Sequence, residues 1–258
     1  MNSKIHPTAV IEQGAKIGAG CDIGAYAFVG EHVTLGDGCK LYTHAIVMGH
    51  TMLGARCTVW PNAVVGGDSQ DLKFRGEITF IEIGAGTTIR ECATINGGTG
   101  EGSKTIVGEK CHIMSYAHVS HNCKVGNGVI LVNCGTLGGE VEIGDRAILG
   151  GLSAVHQFVR IGTMAIIGGC SKVTQDIPPF MMADGHPAKV HTINKVGLER
   201  GGVSDETQRH LKNAYKILFR ENLNTGDALA KIEKEIPSSP QVQTLVDFIK
   251  NSKRGVGK

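Results

Sequence analysis

The stretch VGEKCHIMSYAHVSHNCKVGNGVILVNCGTLGGEVEIGDRAILGGLSAVHQFVRIGTMAIIGGCSKV, residues 107–173, has an aliphatic residue at every sixth position. The series is Val107, Ile113, Val119, Val125, Leu131, Leu137, Ile143, Leu149, Val155, Ile161, Ile167 and Val173. A helix repeats near 3.6 residues and a half-buried strand every second residue. A six-residue beat is instead the mark of a hexapeptide β-helix, in which three short strands close one triangular coil. The aliphatic residues point into the prism, and each burial is worth about 1.5–3 kcal/mol before chain entropy is subtracted. Residues three hexads apart then stack at roughly the 4.8 Å spacing of neighbouring strands.

Upstream the same phase holds from Ile5 through Ile11, Ile17, Ile23, Val29, Leu35, Leu41, Val47, Leu53 and Val59 to Val65, and again at Ile83, Ile89 and Ile95. The 37 glycines suit tight corners, and the lack of a strict Gly-X-Y repeat excludes collagen. The beat breaks twice. GGDSQDLKFRGEITF follows Val65, and NGGTGEGSKTIV lies between Ile95 and Val107. Long loops thrown out of a rigid scaffold tend to carry function. GSKT within the second lacks the Gly-Lys adjacency and the strand–loop–helix context of a phosphate loop.

Downstream the beat ends near Pro178-Pro179, and the composition turns to Lys, Glu, Leu and Ala at helical spacing. The expected architecture is an all-β parallel β-helix over 1–190, then a small α-helical domain over 191–258. Helices are expected at about 192–200, 204–221, 225–235 and 240–251, with Ser204, Thr225 and Ser239-Pro240 at their starts. In the second, Leu211, Ala214, Tyr215 and Leu218 form an apolar stripe, while Arg209, Lys212, Lys216 and Arg220 form a basic face suited to an acidic partner.

The net charge of +2 suggests no broad nucleic-acid face. No apolar run approaches the length of a membrane span, and MNSKIHPTAV lacks a signal-peptide core, so a cytoplasmic location is expected. Five of the eight cysteines (Cys21, Cys39, Cys57, Cys111 and Cys123) fall at the fifth place of a hexad, and the first three form one column. Small buried residues, rather than disulfides or metal ligands, are the expectation.

Stacking also sets out the chemistry. His121, Gly139 and Gln157 share a column. Ser120, Gly138 and His156 form the next, and Asn122, Glu140 and Phe158 the one beyond. An imidazole beside glycines that expose backbone N–H groups fits a general base with an oxyanion site. The rival is a metal held by His118 and His121 with a His from another chain, as in trimeric β-helix carbonic anhydrases; His-x-x-His alone supports it weakly.

QDLKFRGE, TIRECATIN, MSYAHVSHNCKVGN, GGLSAVHQF, IGGCSKVTQDIPP and the tail from NKVGL to KNAYKILFR occur in one order. Together they resemble the acyl-[acyl-carrier-protein]–UDP-N-acetylglucosamine O-acyltransferase family of lipid A biosynthesis, over nearly the whole chain. The resemblance implies a homotrimer of left-handed β-helices with sites between subunits, an acyl-carrier-protein donor and a UDP-sugar acceptor, and no cofactor. It implies His121 as general base and the Gly139 N–H as oxyanion donor. Asp71 and Lys73 would bind the sugar and position substrate. His118, His156 and Gln157 would lie around sugar and diphosphate, Asn194 and Arg200 at the nucleotide end, and Gly169 at the limit of acyl-chain length.

The chain departs from that pattern in three places. Asn122 stands where the family often has Asp after the base, Glu140 where it usually has His, and Arg200-Gly201-Gly202 where it often has Arg-Arg-Gly. By stacking, Glu140 lies over Asn122, as though a carboxylate had moved one coil up. Two other functions fit these residues: an acyltransferase acting on a UDP-amino sugar to give an amide, and a weakly active or non-catalytic β-helix paralogue.

Overall fold

The computed structural model describes residues 2–257. The chain winds as a left-handed parallel β-helix of mostly two-residue strands, arranged in three sheets. Face A begins at Lys4–Ile5, face B at Val10–Ile11 and face C at Lys16–Ile17. Pairing is in register by coil: Ile113 faces Leu131, Val119 faces Leu137 and Val125 faces Ile143.

The register follows from the hexad. The aliphatic residue of each strand points inward, and Ile89, Ile95, Ile113, Val119, Leu131 and Leu137 are fully buried. Two positions before each lies an inner corner slot that is filled mostly by small side chains, with valine on several turns and Ile81 on one. Ala27, Ala45, Ala63, Ala93 and Ala117 fill it on some turns, and Cys21, Cys39, Cys57, Cys111 and Cys123 on others, all of them buried. The cysteines serve as expected, as corner fillers. Cys39 Sγ donates to the Gly54 carbonyl at 3.1 Å and Cys57 Sγ to that of Gly84 at 3.2 Å. Burial pushes the Cys123 thiol up to about 12, so it stays protonated.

The two interruptions emerge from adjacent coils and fold on each other. Gly97 N donates to Gly67 O at 2.8 Å, Gly102 N to Ile78 O at 2.8 Å, and Ser69 Oγ and Thr99 Oγ1 lie 2.6 Å apart. The first loop leaves its strand at Gly66, whose φ of +100° and near contact with Met48 O leave no room for a side chain.

The coil ends in an antiparallel hairpin, Met181–Gly185 with Ala188–Ile193. Helices follow: α1 (Lys195–Arg200), α2 (Asp205–Arg220), α3 (Thr225–Glu235) and α4 (Pro240–Lys250). Ser204 and Ser239 cap α2 and α4 as expected. The cap of α3 is Asn224, whose side chain accepts from Asp227 N, and Thr225 is the first helical residue. The expected start near 192 gives way to the hairpin strand, and α1 begins after Asn194. No helix among the described residues is long and apolar enough to cross a membrane.

Candidate active site

The corner between faces B and C carries the predicted base. His121 follows the strand His118–Val119, and its imidazole lies flat against Gly139 one coil on. A Cβ on Gly139 would come within 2.2 Å of His121 Nε2, so only glycine admits the ring there. The stacking expected from spacing is therefore present: Glu140 N donates to His121 O and Phe158 N to Gly139 O, both at 3.0 Å. Gly139 is buried beneath that ring, and its N–H has no hydrogen-bond acceptor among the described residues.

His121 Nδ1 lies 2.9 Å from Asn122 Oδ1. That oxygen is fixed as the acceptor end of the amide, because it also accepts from Thr99 N at 2.8 Å while Asn122 Nδ2 donates to Thr99 O at 3.3 Å. Nδ1 must then carry the ring proton, which leaves the Nε2 lone pair free to act as a base. Asn122 thus sets the tautomer of His121 and ties the second loop to it. Two features that sequence reasoning missed, Thr99 and Ser69, complete the tether.

The charge that Asn122 lacks comes from elsewhere than expected. Glu140 is exposed, makes no side-chain hydrogen bond among the described residues, and leaves the Asn122 amide to Thr99. The carboxylate facing His121 is Asp71 of the first loop, with Oδ2 3.8 Å from Nε2. Asp71 is held by Ser69 Oγ at its N–H and accepts from Lys73 N at 2.9 Å, which closes the QDLK segment into a turn around the carboxylate. An imidazolium formed at His121 would lie in the field of that carboxylate. His118, on face B, is half-buried with Nδ1 2.7 Å from Thr94 Oγ1. Burial, and then the proximity of His121, hold it below the ordinary histidine value, so it stays neutral at pH 7.

His156 and Gln157 continue the same corner, both exposed. Gly169, Asn194 and Arg200 do not join them. Gly169 lies at the corner between faces A and B, in the column of Gly151 and Asn133. Thirty positions separate Gly139 from Gly169, which is not a whole number of coils, so the two glycines face different ways. Asn194 is buried; its amide caps α1 at Gly197 N and donates to Met164 O at the corner between faces C and A. Arg200 ends α1 on that side. The space that a second arginine would take at Gly201 is occupied by Met164 Cε and Arg146 Nη2, 2.5 and 3.1 Å from the Cβ position, so the coil itself brings a cation there. No group of three or more His, Cys, Asp or Glu side chains among the described residues is placed to hold a metal ion.

A parallel β-helix with a histidine corner and a helical appendage is the form of a hexapeptide-repeat transferase, and two stretches, 32–67 and 104–139, match the model for bacterial transferase hexapeptides. Residues 176–257 match the second-domain model of UDP-N-acetylglucosamine O-acyltransferase. The chain is 46% identical over 255 residues to an acyl-[acyl-carrier-protein]–UDP-N-acetylglucosamine O-acyltransferase of Thermodesulfovibrio yellowstonii, covering 98% of this chain and 99% of the other. A namesake from Anaeromyxobacter dehalogenans is 44% identical, with 98% of each covered. The solved structure of the UDP-N-acetylglucosamine acyltransferase LpxA from Bacteroides fragilis superposes with a TM-score of 0.96 at 40% identity, over 98% of this chain and all of that one. LpxA from Acinetobacter baumannii gives 0.95 at 39%, over 98% and 99%. The chain belongs to the acyl-[acyl-carrier-protein]–UDP-N-acetylglucosamine O-acyltransferase family.

Proposed function

We propose that this chain is an enzyme that moves a 3-hydroxyacyl group from an acyl-carrier-protein thioester to the 3-hydroxyl of UDP-N-acetylglucosamine, the first step of lipid A biosynthesis. The observation that carries the reading is the imidazole of His121 held between Asn122 Oδ1 and the bare backbone of Gly139. His121 Nε2 takes the proton of the sugar hydroxyl as its oxygen attacks the thioester carbonyl. The tetrahedral oxyanion accepts from the Gly139 N–H. Collapse expels the carrier thiolate, which takes the proton back from His121, while Asp71 stabilises the imidazolium between the two transfers. The thioester is already activated, so the route needs no covalent enzyme intermediate.

The active species of the proposal is a homotrimer. His121, Gly169 and Asn194 lie at three different corners of the prism, so one site that uses base, chain-length limit and nucleotide contacts draws on neighbouring copies. Lys73, His118, His156 and Gln157 then line the sugar and diphosphate, Arg200 reaches the nucleotide, and Glu140 sits at the rim. A cytoplasmic location agrees with a carrier-protein donor.

Purified protein assayed with carrier thioesters of several lengths against UDP-N-acetylglucosamine and its 3-amino counterpart tests the reading. Ester formation on the hydroxyl sugar is expected. Product only from the amino sugar would move the assignment to amide formation, and an active monomer in sedimentation would remove the trimer.

A further inference from the structure

The segment after α4 returns to the coil and is pinned there by a buried carboxylate. Asp176 is 1% exposed. Its Oδ2 accepts from Ser252 Oγ at 2.8 Å and its Oδ1 from Arg160 N at 2.8 Å. Its backbone N–H donates to Gly255 O at 3.0 Å, and its carbonyl accepts from Gly257 N at 3.1 Å. Gln175 Nε2 donates to Arg254 O at 3.4 Å. The consequence is the placement of Arg254: its Nη2 stands 3.3 Å from His156 Nδ1, at the same corner as His121.

That contact competes with a second one at the same nitrogen. His156 Nδ1 is nearer to the Gln157 carbonyl, at 3.1 Å, and a carbonyl only accepts. In the tautomer that donates to that carbonyl, the guanidinium meets a second donor instead of a lone pair. Arg254 Nε is buried and also lacks a partner. No carboxylate among the described residues lies within ion-pair distance of this guanidinium. A buried donor without an acceptor is destabilising, and a bound acceptor would recover that cost. A cation that cannot lose its charge, with idle donors beside an imidazole, has the chemistry of an anion site.

We propose that Arg254 and His156 form a phosphate-binding subsite, delivered to the base-bearing corner by the segment that Asp176 anchors. The planar fork suits a phosphate ester, either the diphosphate of the sugar nucleotide or the phosphate of a carrier's phosphopantetheine arm. The second alternative, and the link to catalysis, rest on the proposed acyl transfer; the subsite itself does not.

Calorimetry on the full chain separates these. UDP is compared with uridine, and phosphopantetheine with pantetheine, for the parent, Arg254→Met and Arg254→Lys. In the pair that identifies the source, Arg254→Met should lose about tenfold in affinity for the phosphorylated probe, the scale of one charge-assisted hydrogen bond. The probe without phosphate should bind unchanged, and Arg254→Lys should recover part of the loss. Arg254→Met keeps the aliphatic stem, and its melting temperature checks that the segment stays docked. If that variant unfolds, Arg254→Lys against the parent reads the same difference, since loss of the planar fork alone should weaken the phosphorylated probe. The subsite is overturned if the parent distinguishes neither pair, or if the folded variants bind both phosphorylated probes as the parent does. A protein without acyl-transfer activity that still shows the Arg254-dependent difference would remove the proposed function and keep the subsite.

Discussion

The corner between faces C and A and the corner between faces B and C have the same backbone and use it in opposite ways. In the first, an Asp or Asn on one coil accepts from the backbone N–H of the coil before. Asp37 Oδ1 takes Ala19 N, Asn127 Oδ1 takes Glu109 N, and Asp145 Oδ1 takes Asn127 N, each at 2.8 Å. At the equivalent places of the second corner stand His121, Gly139 and Gln157. There the Gly139 N–H is left without an acceptor, and an imidazole lies against it. Nearer the N-terminus Glu12 Oε2 still accepts from Glu31 N at the second corner, at 2.9 Å, but from His121 to Gln157 no Asp or Asn repeats the staple of the first. The same inner slot is filled by Cys111 in one and Cys123 in the other, so the core does not distinguish them.

The largest break in that comparison comes from its reactive side. His121→Ala should lower turnover by about 10²–10⁴-fold, the typical worth of a general base, with little change in melting temperature. Near-parent turnover would show that another group takes the proton. Gly139→Ala should cost about 10²-fold, because the new methyl displaces the ring and crowds the oxyanion donor. A single-turnover assay that finds it unimpaired would place the oxyanion elsewhere.

The stapled corner should respond in the other currency. Asn127→Ala removes the acceptor of Glu109 N and should cost about 1 kcal/mol of stability, read in denaturant melts, with turnover per folded molecule unchanged. Lost turnover in a fully folded Asn127→Ala would mean that the two corners are coupled and that the contrast drawn here is too sharp.

The coil was legible because its signal is redundant. Every hexad restates the same choice, and one inward aliphatic residue per strand fixes the register. The His121–Gly139 stack was legible for the same reason, since a whole number of coils separates them. What the period did not reveal were side-chain contacts, above all those made by the loops outside it. The repeat makes Glu140 adjacent to Asn122 and so suggested a carboxylate moved one coil up, but adjacency alone does not bring its side chain to the amide. Asp71 reaches the base from a loop that follows no repeat, and only the mutual folding of the two loops through Ser69 and Thr99 sets its position. The signal that pointed to it was the resemblance of the QDLK segment, not its spacing.

A smaller test concerns His118, where burial and His121 hold the pKa below the unfolded value. Above about pH 6.5 both states carry a neutral ring and the group contributes no pH dependence. As pH falls below that, the unfolded chain binds the proton first, so stability falls until the folded-state pKa is passed. His118→Gln should flatten this part of the stability–pH curve. An identical slope in the variant would assign it to other groups.

The smallest expected effect lies farthest from the corner, on α2. Arg209, Lys212 and Lys216 are exposed there without a carboxylate partner among the described residues. Arg220, which the sequence groups with them, is occupied: its Nε donates to Tyr215 Oη at 2.8 Å and its guanidinium lies over that ring. Carrier proteins of this class are acidic, so three cations remain to steer one onto the helical domain. Exposed charges act mainly on association and are screened beyond roughly 8–10 Å at physiological salt. Reversing Arg209 and Lys216 together should therefore raise the KM for the carrier thioester roughly three- to tenfold at low salt. The difference should shrink as salt is added, with kcat and the KM for the sugar nucleotide unchanged. Arg220→Glu is a poor probe, because it would also unseat Tyr215 from the hairpin. If the double reversal leaves the carrier KM and its salt dependence as in the parent, the carrier docks on the coil, and α2 is only a solvated face.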